Sequence, residues 1–275
     1  MEQLGTVRPR GLSSGILRAW GMVFVVLGIV SRSVIQNGLL GITEITAEEL
    51  LELMQGSQDV MAYTTLALVF QALEACAIPV FVFLLLEGFR HTSNYRNYLL
   101  RVAGLALVSE IPYNLAVSGK VVDISRYTNE AGKQVLDLGT RNPVFALVIA
   151  LILLYFYNRY SEKTAGTILL KLILAAAALI WTMMLNIDHG APIVLLACVL
   201  WAFRSKPLFR SIAGACVMML CTITSASNLY YMVAPLAFLF IHFHNGEQGA
   251  GNKIVNYAIY PAALLIIALV SMFAI

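Results

Sequence analysis

Apolar runs long enough to cross about 30 Å of hydrocarbon divide the chain into nine segments. These are Leu17–Leu40, Val60–Leu86, Tyr98–Val117, Asn142–Tyr157, Thr167–Leu185, Gly190–Phe203, Leu208–Ser225, Leu229–Phe243 and Ile254–Ile275. They lack the strict alternation of a membrane β-barrel strand, so helices are predicted. Val60–Leu86 contains Gln71, Glu74 and Pro79. Proline lacks an N–H and clashes with the preceding turn, which predicts a kink or break at Pro79. The sixth and eighth segments are short, and merging or re-entrant behaviour there would change the count.

Composition agrees with lipid as the main solvent: 60% of the 275 residues are apolar and 12% charged, with mean hydropathy +0.81. The net charge of +3 is too small to imply a nucleic-acid partner. Its distribution is more informative, because short cytoplasmic loops collect Lys and Arg. Alternate connections carry Arg8, Arg10 and Arg18; Arg90, Arg96 and Arg101; Arg159, Lys163 and Lys171; Arg204, Lys206 and Arg210; and Lys253. The first intervening connection carries Glu44, Glu48, Glu49, Glu52 and Asp59 with no base. The expected fold is an all-α, polytopic transmembrane bundle of about nine spans, with the N-terminus cytoplasmic and lipid around it. It forms a single transmembrane domain over 1–275, with a short cytoplasmic tail (1–14), an outer amphipathic segment (44–58) and an outer loop (118–141). Thr46-Ala47-Glu48-Glu49 reads as a capping box opening a surface helix. A loop as long as 118–141 is expected to be a lid or mobile. Met1 to Ser14 lack the apolar core of a removable signal peptide. Cys76, Cys198, Cys216 and Cys221 show no metal or redox spacing, so no metal is expected.

Ionisable residues within spans are costly and therefore candidate sites. Arg32 and Glu74 lie at matching depth and predict an ion pair. Glu110 is expected to face a buried cavity, with Ser109, Asn114 or a residue of another span as its donor, and Asn142 is placed in the same cavity. The densest polar run is Glu87-Gly88-Phe89-Arg90-His91-Thr92-Ser93-Asn94-Tyr95-Arg96-Asn97-Tyr98, ending in Arg101, at a cytoplasmic edge. It offers a titratable His91, a carboxylate at Glu87 one turn earlier to orient the imidazole, and guanidinium groups at Arg90, Arg96 and Arg101 suited to phosphate. A basic loop with an incidental histidine is the plainer reading of the same residues.

The run Ile78-Pro79-Val80-Phe81-Val82-Phe83-Leu84-Leu85-Leu86-Glu87-Gly88-Phe89-Arg90-His91-Thr92 resembles the TraX family. So do Tyr98-Leu99-Leu100-Arg101, Ser109-Glu110-Ile111-Pro112, Asn245-Gly246-Glu247-Gln248-Gly249 and the segment Tyr257 to Pro261. The resemblance implies a polytopic protein of the bacterial cytoplasmic membrane, related to acyltransferases. Its expected activity is transfer of an acetyl or other acyl group from acetyl-CoA or another acyl-CoA to an amine or hydroxyl acceptor, including a protein or peptide. It implies His91 as base, Glu87 as its orienting partner, and Arg90, Arg96 and Arg101 as the coenzyme clamp. The chain departs from the family pattern at three places. Gly28 and Ile29 stand where the first span carries Asp-His, Glu74-Ala75 where the second carries Gly-Arg, and Ala263 where the last carries His. These departures keep two alternatives open: an inactive relative serving as scaffold or subunit of a larger membrane complex, and a transporter or lipid-binding protein. Asp188-His189 reads as a helix-capping aspartate beside a solvated histidine at an outer turn. His242 and His244 fall on different helix faces and predict no metal site.

Overall fold

The computed structural model describes residues 11–42, 47–122, 124–128, 134–224, 229–249 and 253–274. The Thr46 half of the predicted capping box and the basic tail at Arg8 and Arg10 lie outside them. Helix α1 (Ser14–Val30) starts under a Ser13 cap and continues into a π-helix, Ser31–Leu39. Then come α2 (Ala47–Gly56), α3 (Gln58–Ala75), α4 (Ala77–His91) and α5 (Tyr95–Ser118), the last capped by the Asn94 side chain and closed by Gly119 at φ 68°. A hairpin of β1 (Ile124–Thr128) and antiparallel β2 (Gln134–Leu138) follows. The remaining helices are α6 (Val144–Arg159), α7 (Ala165–Met184), α8 (Gly190–Ala202), α9 (Pro207–Thr224), α10 (Ala237–His242) and α11 (Lys253–Ala274).

The protein is a helical bundle. Among the described residues, six helices are long and apolar enough to cross a membrane: Ser14–Leu39, Gln58–His91, Tyr95–Ser118, Ala165–Met184, Pro207–Thr224 and Asn256–Phe273. Val144–Arg159, Gly190–Ala202 and Leu229–His242 are shorter. At 1.5 Å per residue α8 covers only about 20 Å, and Leu229–His242 consists of two 3-10 turns leading into α10. Helix α8 is the centre: Ile193, Val194, Leu196, Ala197, Leu200 and Trp201 are buried, the pattern of a helix enclosed by others. Helix α7 is the reverse, burying only Ala178 and Thr182 and presenting Leu169, Leu172, Ile180 and Met183 outward, as a lipid-facing helix does.

Two local features add detail to the expectation. The break in the second span falls at Cys76, three residues before Pro79, and Cys76 N–H turns back to the Leu73 carbonyl at 3.0 Å. The proline ring excludes the carbonyl four residues earlier, that of Ala75, so the helix parts there. The connection at 118–141, read as a lid or mobile loop, contains a paired hairpin.

Contacts gather the basic connections at one end. Phe89 lies edge-on to Trp201 (5.5 Å) and to Tyr95 (5.8 Å), and Tyr95 stacks on Tyr155 (4.5 Å). Arg210 covers Phe83 at 4.8 Å, and Leu12 pairs with His244. The ends of α4, α6 and α8 and the starts of α5 and α9 therefore meet, carrying Arg90, Arg159, Arg204 and Arg210. The π-helix, Arg141 and Asp188 belong to the opposite end.

A candidate site in a cavity between the two ends

A cavity of about 200 Å³ runs inside the bundle. Helix α1 contributes Arg18, Met22, Val25 and Ile29, and α5 contributes Tyr98, Val102 and Leu105, spacings of three and four residues that keep one face of each helix turned inward. Arg18 to Ile29 is eleven residues, so the cavity extends about 16 Å along α1. At the basic end its mouth is formed by Arg18, Tyr98, Asn256 and Tyr257, with Arg101 and Arg18 both in electrostatic reach of the Tyr98 hydroxyl. Tyr98 is seated by Gly88, where any Cβ would come within 2.5 Å of its hydroxyl oxygen, and it donates to the Leu85 carbonyl at 3.3 Å. The walls are aliphatic, and the far end is polar: Glu74, Tyr113, His189 and Tyr260.

That far end is an ionic cluster assembled from four elements. Arg32 of the π-helix forks between Glu74 of α3 and Asp188 of the α7–α8 turn, at 2.5 Å to the latter. Tyr113 of α5 donates to the same Asp188 oxygen at 2.6 Å. Burial works against charge on Asp188, but the Arg32 guanidinium beside it and hydrogen bonds from Tyr113 and Arg32 oppose that effect, and the carboxyl is held below its ordinary range. The π-helix that aims Arg32 is tied down by Ser31 to the Ala67 carbonyl (2.9 Å), Asn37 to the Val117 carbonyl (2.8 Å) and Ser271 to the Ser33 carbonyl (3.0 Å). Such π segments occur frequently at functional sites. The predicted Arg32–Glu74 pair is present. The reading of Asp188-His189 as a cap beside a solvated histidine is corrected: the His189 side chain is largely enclosed and that of Asp188 partly so, and His189 occupies the cap position without a capping hydrogen bond. Two partners from distant elements, Arg32 and Tyr113, draw Asp188 inward.

A second network stands behind the wall. Glu110 accepts from Arg141 Nη1 (3.1 Å) and from the Asn142 N–H (3.2 Å), so its donors come from the segment before α6. Buried Asn142 donates to Ser109 Oγ (2.7 Å) and accepts from Tyr260 Oη (3.0 Å) and the Val144 N–H (2.9 Å). Asn114 Nδ2 donates to the Val121 carbonyl at 3.5 Å. Glu110, Asn114 and Asn142, expected in the cavity, are not among its lining residues. The polar groups of Glu110 and Asn142 are spent on tying α5, α6 and α11 together.

The sequence-predicted base and clamp lie at the basic edge, outside the lining. Glu87 accepts from Arg90 (3.0 Å) and sits 3.3 Å from His91 Nε2, the expected one-turn neighbour, while the His91 side chain is 56% exposed. Arg101 Nε donates to the Asn97 carbonyl at 3.1 Å. Arg96 is exposed on the first turn of α5. Arg18, Tyr257 and His189 were missed as site residues. The inward spacing of Arg18, Met22, Val25 and Ile29 on α1 was the available signal for the first. Among the described residues no three His, Cys, Asp or Glu side chains are grouped as metal ligands.

The chain matches the family model described as TraX protein over residues 46–271. It is similar to the probable fimbrial assembly protein FimC, serogroup H1, of Dichelobacter nodosus, with 24% identity over 210 residues that cover 71% of this chain and 80% of that protein. No solved structure matches it.

Proposed function

The chain belongs to the TraX family, and on that footing we propose that it transfers an acetyl or related acyl group from a coenzyme A thioester to an amine or hydroxyl acceptor within the bundle. The observation that carries this reading is the cavity, a slender apolar passage that begins among cations and ends at a buried polar cluster. Arg18 at the mouth, with Arg90, Arg96 and Arg101 along the same edge, suits the phosphates of the donor. The aliphatic walls suit its extended arm, and the polar far end suits the transfer itself. In that step the acceptor nitrogen or oxygen bonds to the thioester carbon, the C–S bond breaks, and one proton passes from acceptor to thiol. The name of the Dichelobacter relative, a fimbrial assembly protein, supports a protein or peptide acceptor and a place beside a larger membrane assembly. The basic end is the cytoplasmic one in this reading, because cytoplasmic loops collect Arg and Lys and because the donor is cytoplasmic.

Isothermal titration of the purified chain with acetyl-CoA tests it. Heat of binding is expected for the natural protein and its loss for Leu147→Trp, which fills the passage from α6. Absence of heat at saturating concentration, in folded protein, would favour a catalytically silent scaffold instead.

A further inference from the structure

His189 is held with unusual firmness for a residue in a turn. Its backbone sits in the left-handed region at φ 54°, a conformation a non-glycine residue keeps only when its surroundings impose it. Gly190, after it, packs so closely that a Cβ would lie 2.7 Å from Thr182 Cβ. The imidazole is only 7% exposed, lines the cavity, and places Nδ1 2.7 Å from the Tyr231 oxygen. Tyr231 is also hydrogen-bonded to Tyr230. A proton on Nδ1 would be donated to the Tyr231 oxygen and would leave the lone pair of Nε2 free. Nε2 has no hydrogen-bond partner, and Asp188 Oδ2 lies 3.6 Å from it.

We propose that His189 Nε2 is the proton acceptor of the site, taking the proton of the attacking amine or hydroxyl at the polar end of the cavity. The assignment rests on the acyl-transfer reading above. The acceptor's N–H or O–H bond breaks, its electron pair forms the bond to the thioester carbon, and the proton moves to Nε2. The C–S bond then breaks with its pair on sulfur, and the proton on Nε2 passes to that thiolate, so His189 ends as it began. The charge of the cluster favours the first move. Asp188 Oδ2, 3.6 Å from Nε2, stabilises the imidazolium as it forms, the part a carboxylate plays beside a general-base histidine. Tyr231 is a positioning residue: it fixes which nitrogen carries the resting proton.

Two measurements on the full chain in phospholipid nanodiscs test this, with acetyl-CoA as donor and octylamine and octanol as acceptor probes. Thiol release should fall about a hundredfold or more in His189→Gln, the scale of losing a general base. Acetyl-CoA affinity should stay within a few-fold of natural, and His242→Gln should be unchanged. Nitrogen-15 spectra of histidine-labelled natural protein should show His189 Nε2 bare and Nδ1 protonated, and Tyr231→Phe should blur that into a mixture. A protonated Nε2 in the resting protein, or transfer at the natural rate in His189→Gln, overturns the assignment. If His189→Gln does not fold, the nitrogen spectra of the natural protein decide. If the natural protein neither binds acetyl-CoA nor releases thiol, acyl transfer itself fails and the proton role with it, a result visible before any variant is made.

Discussion

An exchange of two residues between α1 and α3 gives the sharpest test of how the buried cluster is built. A Cβ at Gly28 would overlap the Glu74 carboxyl and come within 2.5 Å of Glu74 Cβ, so at this crossing one of the two positions must be glycine. The resemblance to the TraX family implies an aspartate at the first-span position and a glycine at the second-span one; this chain has Gly28 and Glu74 there, the reverse. Gly28→Asp alone overpacks the contact and sets a second carboxylate against Glu74, a cost of about 2 kcal/mol. Glu74→Gly alone removes one of Arg32's two counter-charges, about 3 kcal/mol, and adds about 1 kcal/mol for glycine in a helix. Addition gives about 6 kcal/mol. In the double variant the new glycine on α3 opens the space and the new aspartate on α1 returns a carboxylate to the neighbourhood of Arg32, so a total of about 3 kcal/mol is expected. The coupling of about 3 kcal/mol is large for a contacting pair. It corresponds to roughly 6–12 °C in midpoint by the scaling of soluble domains of similar size. Thermal and SDS-titration unfolding of the four proteins in micelles reads it out. Additivity within about 0.5 kcal/mol would refute the idea that the two positions exchange one carboxylate.

Asn142→Ala should cost about 2–4 kcal/mol, since Tyr260 Oη and the Val144 N–H lose their acceptor and Ser109 its donor in a buried setting; chemical unfolding checks it, and a loss under about 0.5 kcal/mol would contradict the network. Gly88→Val should displace Tyr98 from the Leu85 carbonyl and lower stability by about 1–3 kcal/mol, with acetyl-CoA binding weakened because Tyr98 forms the cavity mouth; a variant as stable as the natural protein would count against that packing. Asp188, held below its ordinary range, contributes stability fully above about pH 4, where an unfolded aspartate is ionised, and loses it as pH falls through the lowered value. The stability gap between natural protein and Asp188→Asn should therefore stay constant from neutrality to about pH 4 and narrow only in stronger acid, and a gap already closing near neutrality would show that the cluster does not hold the carboxylate ionised.

Much of the fold is visible in one dimension because lipid imposes one rule, that backbone polar groups be satisfied within each crossing segment. Val60–Leu86 maps onto Gln58–His91 and Thr167–Leu185 onto Ala165–Met184 for that reason. What the hydropathy pattern lacks is local geometry. Pro79 announces a break, but its steric conflict is with the carbonyl four residues back, which is why the helix parts at Cys76 and Glu74 ends up in the last turn of α3 facing Arg32. The hairpin left a weaker trace: Ile124, Tyr127, Thr128 and Val135 are strand-forming residues around Asn129 to Lys133, a run with turn-forming residues, inside what hydropathy alone marks as a polar connection.

The site was less legible than the fold because its charged members are far apart in sequence and each has a bland local explanation. Asp188 before Gly190 looks like a helix cap, and only the folded chain brings it to Arg32, 156 residues away. A clue existed: one guanidinium in a span can satisfy two carboxylates, and pairing Arg32 with Glu74 alone left half its fork unused. The departures from the family pattern at Gly28, Glu74 and Ala75, which separately look like lost chemistry, meet at this point. The resemblance implies a carboxylate on the first span and a guanidinium on the second; here Arg32 and Glu74 supply the same two charges from the opposite spans. Ile29, where the pattern has histidine, lines the same cavity as His189. An imidazole arriving from the α7–α8 turn therefore faces the same space that a first-span imidazole would have faced, and it brings Asp188 as its neighbour.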